Sequence, residues 1–85
     1  MPFRLFIDLE VIEFLQSLKG QQRARLLSHL HAIREYPGNH THHQKMHSSG
    51  RTLSVSLIAG FAISYWIDDA DGHVKIMKIE PRIGI

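Results

Sequence analysis

Residues 60–82 read GFAISYWIDDADGHVKIMKIEPR, and this stretch decides the fold. Phe61, Ile63, Tyr65 and Ile67 alternate with Ala62, Ser64 and Trp66, the period of a strand with one buried face. DDADG is a strong turn signal, because aspartate and glycine accept turn backbone angles at little cost. HVKIMKI then reads as the next strand, in which strict alternation puts Lys75 and Lys78 on opposite faces. Just upstream, TLSVSLI alternates Leu53, Val55 and Leu57 against Ser54, Ser56 and Ile58, and Ala59-Gly60 supplies a tight turn. Three consecutive strands with short turns predict an antiparallel meander. Ser54, Ser56, Ala62 and Ser64 are then expected on its uncovered face, where small side chains leave a shallow concave surface.

Working outward, FRLFID alternates Phe3, Leu5 and Ile7 against Arg4, Phe6 and Asp8, an opening strand. Asp8 is placed to cap a following helix with its carboxylate. Val11, Phe14, Leu15 and Leu18 form one helical stripe, with Glu10, Glu13 and Ser17 facing away. Lys19 and Gly20 read as its C-terminal end. A second helix is expected over about residues 21–36, with Leu26, Leu30 and Ile33 on its stripe, Leu27 widening it, and Pro37-Gly38 stopping it. The short break makes the two helices a hairpin. Residues 37–50, PGNHTHHQKMHSSG, read as one long polar loop.

The expected fold class is therefore α+β. It is a two-layer β-α-α-β-β-β domain, with the helical hairpin covering the apolar face of a curved antiparallel sheet. Eighty-five residues support one domain, 1–85. No cysteine is present, which excludes disulfides and thiolate zinc sites. No run approaches the roughly 20 apolar residues that span a bilayer. The N-terminus lacks the apolar core of a signal peptide, so a cytoplasmic protein without membrane contact is expected. The net charge of +2 is too small to imply a nucleic-acid partner. Its distribution is more informative. Acids lie in the first helix and the DDADG turn, bases in the second helix and the C-terminal half, and such separation can dock a phosphate backbone.

With this element order, length and C-terminal half, the chain resembles the RelE/ParE superfamily of toxin–antitoxin toxins. The matching features are the tyrosine-bearing strand, the acidic turn, the apolar strand and the arginine of residues 60–82. The resemblance implies a partner, a cognate antitoxin peptide that wraps the toxin. It also implies one of two activities. RelE-like members cut mRNA in the ribosomal A site, so their partners are the ribosome and mRNA. ParE-like members inhibit DNA gyrase and cut nothing.

Metal-independent RNA cleavage needs fixed cations around the reacting phosphate and a group that moves protons, and no cofactor or metal is expected. Arg82 matches the arginine that the family places after the last strand. Arg51 enters its strand from the loop and is the second catalytic candidate. His43 and His47 are candidates for proton transfer, since histidine titrates near neutrality. Lys78, Lys45 and Arg51 are candidates for RNA contact, and Trp66 is a candidate for stacking on a base. Tyr65 reads as core. The cluster His40, His42, His43 and His47 is open to three readings: solvated loop, RNA contact, or metal if the segment is helical. His29 and His31 read as surface or antitoxin-facing. Three features depart from the family's pattern. Ala62 stands where members commonly carry an arginine, Ser54 and Ser56 stand at strand positions expected to be arginine, and neither Tyr nor His occurs near Ile85. A non-catalytic binding member of the same fold is therefore the alternative reading.

Overall fold

The computed structural model describes residues 3–82. Strand β1 (Arg4–Ile7) leads into helices α1 (Leu9–Ser17) and α2 (Gly20–Glu35). A short 3-10 turn (Pro37–His40) follows, then β2 (His43–Met46), β3 (Thr52–Ile58), β4 (Phe61–Asp68) and β5 (His73–Pro81). The strands form one sheet in the order β1-β5-β4-β3-β2. The two-layer α+β architecture and the helical hairpin are as expected.

Two features of the sheet correct the expectation. First, the sheet has five strands and is mixed, because β1 pairs parallel to β5. The helices carry the chain from β1 to β2 at the opposite edge of the sheet, and the meander from β2 to β5 then ends with β5 alongside β1. Second, His43–Met46 is a strand and not loop. It pairs antiparallel with β3, from His43 opposite Val55 to Met46 opposite Thr52. All four of its residues are exposed, so this edge strand carries no apolar alternation to announce it.

The core lies between the helices and one sheet face. Val11, Leu15, Leu26, Leu30 and Ile33 pack on Phe61, Ile63, Tyr65, Val74, Ile76 and Ile79. Leu27 is outside this stripe and largely exposed. Gly20 opens α2 and does not end α1, whose cap residue is Leu18. Asp8 stands at the start of α1 in extended backbone but makes no side-chain cap. Its carboxylate lies 3.6 Å from Lys75 Nζ. The β3–β4 hairpin turns on Ala59 and Gly60, both at positive φ (52° and 83°). That geometry matches the right-handed twist of the flanking strands.

The register of β3 reverses its expected faces. Ser54 lies opposite Tyr65, and Ser56 opposite Ile63. Directly opposed residues share a face, so Ser54 and Ser56 sit under the helices. Leu53, Val55 and Leu57 lie on the other face, with Ala62, Ser64 and Trp66. Alternation alone could not choose between these faces, because the two serines are as buried as their leucine and valine neighbours.

A second register feature places the lysines. Lys78 is opposite Ser64 and Ile76 is opposite Tyr65, which leaves Met77 as the extra residue of a β-bulge. Lys75 is opposite Trp66. Lys75 and Lys78 therefore share the open face, contrary to strict alternation.

Candidate functional site on the open sheet face

The helix-covered face is chemically closed. Tyr65 is fully buried, and its hydroxyl donates to the Pro37 carbonyl at 2.8 Å. Thr41 Oγ1 lies 3.0 Å from the Tyr65 hydroxyl oxygen and donates to the Pro37 carbonyl at 3.2 Å. Burial raises the tyrosine pKa above its usual value, with the Thr41 hydrogen bond opposing in part. Ser56 Oγ shares a 2.7 Å hydrogen bond with His29 Nε2 on α2. His29 is thus a packing residue, contrary to its expected place on the surface. Burial lowers its pKa, and the neighbouring His40 and His42 lower it further.

Several polar groups of the open face line one cavity. A cavity of about 450 Å³ is lined by Asp8, Lys45, Met46, His47, Ser48, Leu53, Ser64, Met77 and Lys78. Lys45 comes from the edge strand, opposite Leu53. Lys78 comes from β5 after the bulge, opposite Ser64. His47 belongs to the turn after β2, where its Nδ1 accepts the Ser49 backbone N–H at 3.2 Å. That bond leaves Nε2 as the ring nitrogen able to meet a ligand. Ser64 is 1% exposed, and its Oγ has no hydrogen-bond partner among the described residues. The two lysines and the serine hydroxyl supply donors, so the arrangement suits an anion that accepts them.

The other candidates are dispersed. Arg51 stacks over the Trp66 ring at 3.9 Å, so this face of the indole is already occupied. Arg82 is exposed at the opposite end of β4, where its backbone N–H donates to the Gly60 carbonyl at 2.8 Å. From the Trp66 row to the Gly60 row is roughly 20 Å of strand, beyond the span of one phosphate group. His43 shares the open face and, through Val55, the cross-strand row of Ser64 and Lys78, but it is not among the residues that line the cavity.

The histidine cluster divides in the same way. His40 turns toward His29, with ring centroids 5.2 Å apart. His42 Nδ1 accepts the Leu57 backbone N–H at 3.1 Å. His43 begins β2, and His47 follows it at the turn. A four-residue separation along extended chain is roughly 13 Å, so this pair does not form a chelate.

Sequence reasoning thus found Lys45, Lys78 and His47 but not their convergence, which depends on the unrecognised edge strand and the bulge. It did not identify Ser64 or Asp8 as part of the site. A serine between isoleucine and tyrosine carries no signal that its hydroxyl lacks a partner.

No helix among the described residues is long and apolar enough to cross a membrane. No protein-family model matches the sequence, and comparison with curated proteins finds no match. Solved structures do match. The RelE–RelB complex of Pyrococcus horikoshii OT3 superposes with a TM-score of 0.81 at 22% identity, over 96% of this chain and 97% of that one. The Mycobacterium tuberculosis toxin–antitoxin complex RelBE2 gives 0.80 at 14% identity, over 96% and 93%. The isolated Escherichia coli RelE toxin gives 0.76 at 15% identity, over 98% and 87%. The chain therefore has the RelE fold across nearly its whole length.

Proposed function

We propose that this protein is the toxin component of a type II toxin–antitoxin module, held silent by a cognate antitoxin, and that it is a metal-independent, ribosome-dependent mRNA endonuclease. The observation that carries this reading is the convergence of Lys45, Lys78, Ser64 and His47 on one open-face cavity. The shared fold with RelE toxins, two of them solved with their antitoxins, supports it.

The chemistry follows from the donors. The ribose 2′-hydroxyl attacks the adjacent phosphorus, the O2′–P bond forms and the P–O5′ bond breaks. The products are a 2′,3′-cyclic phosphate and a 5′-hydroxyl. Negative charge grows on the phosphate oxygens, and Lys45 and Lys78 offset it. His47 donates a hydrogen bond from Nε2–H to the departing O5′, which takes its proton from water. Water takes the 2′ proton. Arg51 and Arg82 lie outside this cluster and act by holding RNA along the face.

The test is induced expression with and without a candidate antitoxin encoded by an adjacent reading frame. Growth arrest relieved by the antitoxin, with new mRNA 5′ ends, is the expected result. Growth arrest with intact mRNA would overturn the nuclease reading.

One observation favours a second reading. No arginine among the described residues lines the open-face cavity, and Ala62, Ser54 and Ser56 stand at strand positions where the resembled family commonly carries arginine. Under this reading the chain is a non-cutting member that binds DNA gyrase or only its antitoxin. Inhibition of supercoiling by purified gyrase, with mRNA intact, would select it.

A further inference from the structure

Strand β2 is held to the sheet without apolar packing. Its four residues are all exposed, none belongs to the core cluster, and β3 is its only neighbour among the described strands. Such a strand depends on its hydrogen bonds. Beyond the backbone pairs, one histidine ring stands at each end. At the start, His42 Nδ1 accepts the backbone N–H of Leu57 at 3.1 Å, a donor of β3 that lies past the last paired residue of β2. At the finish, His47 Nδ1 accepts the Ser49 N–H at 3.2 Å and closes the turn that leads back to β3. Both bonds need a ring nitrogen without a proton. An imidazolium ion carries a proton on each nitrogen and accepts nothing.

We propose that β2 is an acid-released strap: neutral His42 and His47 fasten it to β3, and their protonation frees it. Lys45 and Met46, which β2 contributes to the open-face cavity, leave with it. As control of that cavity the inference rests on the toxin reading above; as a movement of the chain it does not. The charges around His42 reinforce the release. His29 of α2 and His40 of the 3-10 turn have ring centroids 5.2 Å apart. Burial first, then His40, then His42 hold the His29 pKa below its ordinary value, so the three rings act on one another as like charges. His29 is tied to Ser56, and no carboxylate among the described residues pairs with any of the three. Acid therefore gathers positive charge on three elements where nothing offsets it. Around His47 the cavity brings Lys45 from β2, Lys78 from β5 and Asp8 from the start of α1. Asp8 is the one acid there, and its charge is already shared with Lys75 at 3.6 Å. Because histidine changes charge between roughly pH 5 and 8, the open form gains as pH falls through that range.

The experiment measures backbone amide exchange of the purified full chain at pH 7.5 and 5.5, with rates corrected for the intrinsic effect of pH. The reporters are the amides of Leu57, His42 and His47, whose N–H groups join β2 and its flanks to the β3 side. Their protection should fall by at least about tenfold at pH 5.5, while Ile63 and Ile76 in the core keep theirs. His42→Asn and His47→Asn put an amide oxygen near the place of Nδ1, an acceptor that does not titrate. The double variant should keep the strap fastened at both pH values. His42→Ala should loosen the Leu57 amide already at pH 7.5, and His42 is exposed, so this change does not threaten the fold. Unchanged protection of the parent chain at pH 5.5 would overturn the strap. So would a loss at Ile63 as large as that at Leu57, or acid release of the double variant equal to that of the parent. None of these readouts uses RNA, so a failed strap leaves the toxin reading standing, and intact mRNA in arrested cells overturns the nuclease reading alone.

Discussion

The same two strands, β3 and β4, treat the hydroxyls of Ser56 and Tyr65 on one face and of Ser64 on the other in opposite ways. Beneath the helices, Ser56 and Tyr65 each have a partner supplied by a distant element, α2 or the Pro37 turn. On the open face, Ser64 is equally buried and has none. A satisfied polar group ties a layer together, and an unsatisfied one keeps a donor for a ligand at some cost in stability. The contrast separates a face whose Ser56 and Tyr65 hydroxyls are paired from one whose Ser64 hydroxyl is not, and substitutions can test it in order of size.

The largest effect is expected in the closed layer. Ile63 is fully buried in the core cluster, and Ile63→Ala should destabilise by about 2–5 kcal/mol in urea denaturation. A loss under 1 kcal/mol would mean that the covered face is not the true core. Next, Tyr65→Phe removes the bond to Pro37 and should cost about 1–2 kcal/mol. Amide exchange should rise first around residues 37–41, which this hydroxyl pins.

The serine pair is the sharpest comparison. Ser56→Ala leaves His29 without its partner and should cost about 1 kcal/mol, whereas Ser64→Ala should be neutral or stabilising by up to about 1 kcal/mol. Equal losses at the two sites would erase the difference between the faces.

The smallest effect is a pH dependence. His29 has its pKa lowered in the folded protein from an ordinary 6.5, chiefly by burial. The unfolded chain therefore binds the proton first on acidification. Stability is intact above the unfolded value and falls as pH drops through it toward the lower folded pKa. The denaturation midpoint should decline on acidification from pH 7.5 to 5.5, and His29→Gln should reduce that slope. An unchanged slope would show that His29 is not held neutral by its surroundings.

Much of this fold was legible because its signals are local. Periods of two and 3.6, the DDADG turn and the Pro37-Gly38 stop located both helices and four strands. The missing information was relational. The edge strand HQKM has no apolar alternation, so only its pairing with β3 reveals it. The faces of β3 depended on register with β4, since both sets of its side chains are buried. The bulge at Met77 put Lys75 and Lys78 on one face, and no residue in VKIMKI marks it. At the candidate site, residue type identified lysines and histidines as suited to phosphate chemistry. Which of them meet was set by that edge strand and that bulge, while Arg51 was diverted to Trp66 and Arg82 to the far end of the sheet.

The central claim is that the open-face cavity acts on RNA. The most direct measurement maps mRNA 5′ ends in cells expressing the parent chain or the Lys45→Gln/Lys78→Gln double variant, with both proteins shown to be folded and equally abundant. The account expects new 5′ ends and growth arrest with the parent chain, and loss of at least about 90% of both with the variant, since removing one transition-state donor costs about 3 kcal/mol. Identical cleavage by the two proteins would contradict it.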